Sequence, residues 1–255
     1  AVDRDSLTPG GILSLENLKL IRSTVSFNEG NYGGGLYASG RILLDIDEST
    51  FFKNKVDGSG GAIYSVGSTV NITNSIIKEN ESTWSGGGID CGGSCYLRIS
   101  GTALIGNIAS RGGGAIAGRG DWIISNSHII SNQATEGASA ISHDHIYTPF
   151  KMINSVVASN SSGSGETVNL NGGPIFIVNT VIANNDSGIS LSSGSSEAIL
   201  IGNSVFHNNT SFDIEISEGI YPTVENSFFT KVSGTIAFYE NNISVGPLGF
   251  YGANE

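Results

Sequence analysis

The sequence predicts an all-β fold: a right-handed, single-stranded parallel β-helix, or solenoid, of about nine coils with terminal caps. Three observations support this prediction: a motif that recurs about every 25 residues, alternating apolar residues within each repeat, and a scarcity of helix formers. The 255 residues include 36 Gly, 37 Ser and 24 Asn, but only 12 Lys plus Arg and 1 Met. This composition argues against a helical bundle, and the apolar runs are too short to cross a membrane.

The repeated motif consists of a Ser or Thr, two mostly apolar residues, two variable residues and an Asn. Eight copies are complete, and a ninth ends at Val232 where the others have Asn. The eight Asn residues are Asn28, Asn54, Asn80, Asn107, Asn132, Asn160, Asn185 and Asn209. We expect them to stack as a ladder that hydrogen-bonds the backbone where each coil turns.

Apolar residues alternate around the hydroxyl residue of each repeat. In the second repeat, Leu44 and Ile46 precede Ser49 by five and three positions, and Phe51 follows it by two. This period of two predicts strands with one face directed inward. A further short strand follows each Asn and is often preceded by glycines, as in residues 60–63, because glycine tolerates the tight backbone of such a connection.

A repeat of this size cannot bury its apolar face alone, but stacked copies can. Equivalent residues then lie about 4.8 Å apart, and the crossover preference of parallel strands predicts a right-handed path. We assign residues 1–240 to the β-helix, including a partial first coil at residues 11–13, and residues 241–255 to a C-terminal cap or tail.

The Asn motif is paired with Gly-Gly-Ala-Ile at residues 60–63 and 113–116, and Phe51 and Phe206 occupy its first apolar position. This pairing resembles the Gly-Gly-Ala-Ile and Phe-x-x-Asn repeat of chlamydial-type polymorphic outer-membrane proteins. It is also similar to the repeats of bacterial right-handed β-helix surface proteins, over about residues 10–240. The resemblance implies a bacterial protein that is secreted or displayed on the cell surface.

The charge and the coil length narrow the classes of function. The net charge of −11 argues against nucleic acid as a partner, and mildly against acidic polysaccharides. The short coils leave little chain for the walls of a deep cleft. We therefore expect an adhesin-like or polysaccharide-associated binding or structural module, without a cofactor and without membrane insertion. Its partner would be a polysaccharide or a host or cell-surface protein.

One polar cluster on the central coils is a candidate for catalysis. Its members are His143, His145, Arg119, Asp121 and Asp144. A polysaccharide lyase, or a related carbohydrate-active enzyme, needs a base and a cation that neutralises the substrate carboxylate. His143 or His145 together with Arg119 could provide them. The alternatives are a transition-metal site made by the two His and a carboxylate, or a polar loop that only closes a turn.

Two further groups of residues have structural interpretations. Asp45, Asp47 and Glu48 form an acidic run that we interpret as a solvated face, although Ca²⁺ could bind there adventitiously. Cys91 and Cys95 enclose Gly-Gly-Ser, and a turn would bring them within range of a disulfide, which a secreted protein would favour.

The outward positions of the strand before the hydroxyl become apolar in the later coils. We call these residues the apolar strip: Ile123, Ile153, Phe176, Val178 and Leu200. Apolar side chains that stack on one solvent-facing surface usually indicate a site that another segment or molecule covers. The strip could be covered by the tail at residues 247–251, could bind a second copy or a neighbouring domain, or could bind a ligand such as a glycan.

Overall fold

The computed structural model describes residues 9–144, 147–192 and 198–244, which form one parallel β-solenoid. Every regular element in these ranges is a β-strand, so the predicted all-β parallel solenoid is confirmed. Three sheets of ten strands and a fourth of six run along the stack. Each coil visits the sheets in the same order, and the chain enters the next coil at the sheet where the last one began. The right-handed path and the caps stay predictions.

Sheet 1 contains the strands that follow the glycines of each coil. These are Ile12–Ser14, Leu36–Ser39, Ile63–Val66, Ile89–Cys91, Ile116–Gly118, Ile141–Asp144, Val168–Asn171, Ile189–Ser192, Ile214–Ile216 and Val232–Ser233. The preceding turn depends on glycine in several coils. At Gly113, φ is +61°, and a Cβ atom would lie 2.2 Å from the carbonyl oxygen of Ile116. A side chain there would therefore force the turn open.

Sheet 2 contains the strands before the hydroxyl residue. These are Leu18–Ile21, Leu43–Asp47, Thr69–Thr73, Tyr96–Ser100, Trp122–Ser125, Phe150–Ile153, Ile175–Val178, Ile199–Gly202, Thr223–Glu225 and Phe238–Glu240. The register keeps equivalent repeat positions side by side, as where Val70 lies between Leu44 and Leu97. The side chains at these positions point inward and are buried from the second to the ninth coil.

Sheet 3 lies between the hydroxyl residue and the ladder Asn. Its strands are Thr24–Ser26, Thr50–Phe52, Ile76–Lys78, Ala103–Ile105, His128–Ile130, Val156–Ala158, Val181–Ala183, Val205–His207, Phe228–Phe229 and Ile243–Ser244. The central residue of each complete strand points into the core, as Phe51, Ile77 and Leu104 do with no exposed surface. The last strand lies inside the predicted cap and still pairs with Phe228–Phe229.

Sheet 4 is short and follows the ladder Asn in the first six coils. Its strands are Glu29–Gly30, Lys55–Val56, Glu81–Ser82, Ile108–Ala109, Gln133–Ala134 and Ser161–Ser162. Sheet 4 and the glycine turn make the corner that leads into sheet 1. The described residues contain no helix that is long and apolar enough to cross a membrane.

The predicted Asn ladder is present along the stack. Asn54, Asn80, Asn107 and their equivalents up to Asn209 are at most 2% exposed. In each step, the Nδ2 group donates to the Oδ1 atom of the next Asn, at 2.9 Å from Asn54 to Asn80 and 3.0 Å from Asn80 to Asn107. The backbone N–H of each Asn donates to the same Oδ1 atom. The ladder thus satisfies buried polar groups at the turn.

The hydroxyl residues form a second ladder at the corner between sheets 2 and 3. The backbone N–H of Ser49 donates to Oγ of Ser75 at 3.0 Å, and Ser49 Oγ donates to the carbonyl of Asp47 at 2.7 Å. The residue before each hydroxyl has a left-handed backbone, with φ of +48° at Asn74 and +49° at Asn126. Asn tolerates this region better than most residues, which explains the recurrent Asn-Ser sequence.

Asp213 ends the Asn ladder where the ninth repeat lacks its Asn. Its Oδ1 atom accepts the Nδ2 group of Asn209 at 2.8 Å. Its Oδ2 atom accepts both the N–H and the hydroxyl of Thr230, and the N–H of Lys231. Asp213 is completely buried, so these four donors replace the water that its carboxylate would otherwise bind.

Candidate binding surfaces

The structure separates the members of the predicted catalytic cluster. His143 points into the solenoid and is 1% exposed. Its ring lies 4.6 Å from Trp122 and 5.5 Å from Phe150, measured between ring centroids. Its Nε2 atom lies 2.8 Å from the carbonyl oxygen of Gly120. A substrate on the surface could not reach this ring, so His143 is placed as a core residue.

The charged members of the cluster face outward and form ion pairs between coils. Arg119 Nη2 lies 3.1 Å from Asp144 Oδ2, and Asn171 donates to the other oxygen of Asp144 at 2.8 Å. Arg98 pairs with Asp121 at 3.1 Å. Arg119 and His143 therefore lie on opposite faces of the sheet and do not meet in a groove. His145 lies outside the described residues.

The acidic run on sheet 2 is engaged in hydrogen bonds. Asp45 accepts Asn71 Nδ2 at 2.8 Å, and Asp47 accepts the hydroxyl of Thr73 at 2.6 Å. The hydrogen bond from Thr73 is the main cause that lowers the pKa of Asp47. Within the described ranges, no group of three or more His, Cys, Asp or Glu is arranged to hold a metal ion.

Cys91 and Cys95 form the predicted disulfide, with Cα atoms 5.6 Å apart. The bridge closes the turn between sheet 1 and sheet 2 of one coil. Both residues are buried, at 0% and 1% exposure, and they pack against the hydrophobic core.

The apolar strip lies on the outer face of sheet 2, and each of its side chains is half-buried. Phe176 stacks between Lys151 and Leu200, while Ile153 lies beside Val178 on adjacent strands. The ammonium of Lys151 lies 5.5 Å from the centre of the Phe176 ring. The tail that could cover the strip, at residues 247–251, lies outside the described residues.

Sheet 3 has a second apolar outer surface, which the sequence analysis missed. We call it the lateral apolar face: Ile76, Ile105, Ile130, Val156, Val181 and Val205. Ile76, Val205 and Val181 are 41%, 40% and 37% exposed. The signal was present in the positions one and three residues after each hydroxyl. The inward position between them carries the regular apolar pattern, whereas the two outward positions mix apolar, polar and charged residues.

A pocket opens at the corner between sheet 4 and sheet 1, on the first three coils. Its volume is about 380 Å³. It is lined by Asn31, Tyr32, Asp57, Gly58, Thr83 and Trp84. Trp84 is 48% exposed, and the guanidinium of Arg111 lies 4.5 Å from the centre of its ring. These residues lie three and four positions after the ladder Asn of each coil, where the residue type varies, so the repeat motif does not mark them.

Behind the pocket, tyrosines from neighbouring coils pack together beside a buried carboxyl group. The ring of Tyr64 lies 5.0 Å from that of Tyr32 and 5.6 Å from that of Tyr37. Burial raises the pKa of Asp90 to about 7, and the hydroxyl of Ser59 partly opposes this effect. Burial, and then the charge of Asp90, raise the pKa of Tyr64 to about 12. Both groups are thus neutral over a wide pH range.

No family model, curated protein or solved structure matches the chain. The surfaces described above are therefore the basis of the proposed function.

Proposed function

We propose that this chain is an adhesin-like binding module of a bacterial protein that is secreted or displayed on the cell surface. It contacts a protein partner through the lateral apolar face and the adjoining apolar strip. The observation that carries this proposal is the group of aliphatic side chains on the outer face of sheet 3, among which Val156, Val181 and Val205 stack on consecutive strands. Soluble proteins rarely expose contiguous apolar patches larger than a few hundred Å² unless the patch is an interaction site.

The dimensions of the two surfaces suit a protein partner. The lateral apolar face spans six adjacent strands of sheet 3, which at a spacing of about 4.8 Å gives it a length of roughly 24 Å along the stack. The two surfaces adjoin at one corner, since Val178 of the apolar strip precedes Val181 of the lateral apolar face by three residues. Aliphatic side chains bury area without offering hydrogen bonds. A protein surface can cover them with apolar groups of its own, whereas a glycan presents hydroxyl groups that need hydrogen-bond partners.

His143 cannot serve as the base of the lyase alternative, and the second candidate base, His145, lies outside the described residues. That alternative required a His of the polar cluster and Arg119 to converge on a substrate, and His143 lies in the core beside Trp122. Arg119 is paired with Asp144 on the outside. These positions support binding as the function of the module.

The test uses a variant that places charge in the lateral apolar face. Ile105→Lys and Val181→Lys are combined, because both residues are 37% exposed and substitution leaves the core intact. Ile108→Lys is the matched control, since Ile108 is 41% exposed but lies on sheet 4. Labelled protein is titrated onto intact bacterial and epithelial cells and onto cells shaved with protease. Sedimentation equilibrium of each protein reports self-association.

We expect saturable binding that protease treatment abolishes, or self-association if the partner is a second copy. The double variant should bind at least about ten times more weakly, whereas Ile108→Lys should bind like the parent. Binding that survives protease treatment, equal binding by the double variant, or neither cell binding nor self-association would contradict the proposal.

A further inference from the structure

The pocket at the corner of sheets 4 and 1 is open because one coil lacks a side chain there. The N–H of Trp84 donates to the carbonyl of Gly58 at 3.2 Å, so the two residues stack in adjacent coils. On the other side, a Cβ atom on Gly58 would lie 3.0 Å from the Tyr32 ring and 2.3 Å from the carbonyl oxygen of Asn31. Gly58 therefore forms the floor between two aromatic side chains.

Both aromatic walls are held in place before any ligand arrives. Arg111, from the next coil, stacks on Trp84 with 4.5 Å between the guanidinium carbon and the ring centre. Tyr32 packs against Tyr64, which in turn stacks on Tyr37. Fixed walls reduce the entropy lost on binding, so such a pocket binds more tightly than one built from mobile side chains.

Polar groups share this pocket with the aromatic rings. Asn31, Asp57 and Thr83 line it together with Tyr32 and Trp84. Aromatic faces match the C–H face of a pyranose ring, and a carboxylate accepts strong hydrogen bonds from hydroxyl groups. The volume of about 380 Å³ lies within the range of about 300–1,000 Å³ that is typical of ligand sites. We propose that this pocket binds a pyranose ring of a polysaccharide.

The charges around the pocket select a neutral polysaccharide. Asp57 lies in the wall, and Lys55 interacts with Glu29, Asp57 and Glu81. The Lys55 ammonium is paired with Glu81 at 2.8 Å, and Arg111 stacks on Trp84, so three carboxylates stand against two cations. A uronate carboxylate would be repelled here, and the net charge of −11 adds to that repulsion. This site lies away from the lateral apolar face and does not depend on the proposed function.

Tryptophan fluorescence offers a direct readout of the pocket. The sequence has two tryptophans: Trp84 in the pocket wall and Trp122, which is completely buried in the core. A ligand that covers Trp84 should change its emission while Trp122 stays constant. The probes are soluble mixed-linkage β-glucan, galactomannan, xylan and dextran as neutral polymers, and polygalacturonate and alginate as acidic ones.

We expect at least one neutral polymer to shift the emission saturably and to bind at least about ten times more tightly than either acidic polymer. Trp84→Ala should weaken binding at least ten-fold in isothermal titration calorimetry. Trp84→Phe should abolish the fluorescence change and keep measurable heat. Tyr96→Ala is the matched control, because Tyr96 is 58% exposed at the start of a sheet 2 strand, and it should bind like the parent.

Two results would overturn the proposal: no neutral polymer binds, or Trp84→Ala binds them as the parent does. A preference for polygalacturonate or alginate would overturn its charge argument. Circular dichroism of each variant verifies that the solenoid is intact. Since the cell-binding assay uses variants on another face, failure of one proposal leaves the other unaffected.

Discussion

Asp90 is an outward residue of sheet 1 that the fold nevertheless buries. It lies at 5% exposure between Tyr64 and Ala117 of the neighbouring strands, and the hydroxyl of Ser59 bonds to it. A carboxyl group that loses its water resists ionisation, which explains its pKa of about 7.

This pKa makes the stability of the protein depend on pH. The unfolded chain ionises Asp90 near pH 3.8, whereas the folded protein keeps the proton to about pH 7. The stabilising contribution is complete below pH 4, decreases as the pH rises and is lost above pH 7. Asp90→Asn, which stays neutral, should therefore exceed the parent in stability at pH 8 by an amount on the order of 4 kcal/mol, and match it at pH 4.

Urea unfolding of both proteins at pH 4 and pH 8 measures this difference. Asp57→Asn is a suitable control, because Asp57 is exposed and its substitution should change stability little at either pH. A difference between Asp90→Asn and the parent that is the same at pH 4 and pH 8 would show that Asp90 is not the group responsible.

His143 shows where residue-level reasoning from sequence fails. A His beside Asp144 and opposite Arg119 suggested surface chemistry, yet alternation along the strand turns His143 inward and Asp144 outward. The inward position was detectable, since Ile141 and His143 are two residues apart in one strand. The catalytic role was predicted from the residue type alone. A buried His packed among aromatic rings is nevertheless compatible with a core.

At the element scale, the repeat predicted the Asn ladder and the inward columns. Each ladder position depends only on the repeat register, so residues such as Asn107 could be placed from the sequence alone. Sheet 4 could not be predicted, because two-residue strands such as Lys55–Val56 carry no periodic signal. The role of Asp213 was also hidden, because it lies four residues after Asn209, outside the aligned motif.

We expect Asp213→Ala to loosen the end of the solenoid. The substitution leaves the donors of Asn209, Thr230 and Lys231 without their acceptor, and each buried unsatisfied group costs about 1–3 kcal/mol. Because each coil contacts only its neighbours, the damage should stay local.

Hydrogen exchange read by mass spectrometry distinguishes local from global damage. In Asp213→Ala, amides in residues 228–233 should exchange at least ten times faster, and those of the central coils should be unchanged. Glu218→Ala, an exposed residue nearby, serves as the control. Faster exchange throughout the chain would indicate that the solenoid unfolds as one unit.

For the whole molecule, stacking makes the protection of backbone amides from hydrogen exchange depend on their position along the stack. Leu18 and Leu20 in the first coil of sheet 2 are only partly buried, whereas Leu97 and Ile99 occupy the same repeat positions with at most 1% exposure. We expect the amide of Ile99 to exchange at least ten times more slowly than that of Leu20 in native buffer, because opening a central coil disrupts two interfaces. Equal rates at these matched positions would exclude this quasi-linear behaviour.

The binding surfaces are formed by the stacking of several coils, so the sequence of a single repeat predicts them only in part. The pocket needs Tyr32, Gly58 and Trp84, which lie four residues after the ladder Asn in three successive coils, but the residue type at this position changes from coil to coil. Stacking brings them together, and no single repeat contains the site. The apolar strip was predictable because its residues belong to the aligned strand.

The amide dipoles of the Asn ladder share one direction along the stack. From Asn28 to Asn209, every side-chain amide donates toward the C-terminal end of the stack, so the amide dipoles add instead of cancelling. The donor end of this row meets the carboxylate of Asp213, as an anion meets the N-terminus of a helix. The two ends of the Asn ladder thus differ in polarity.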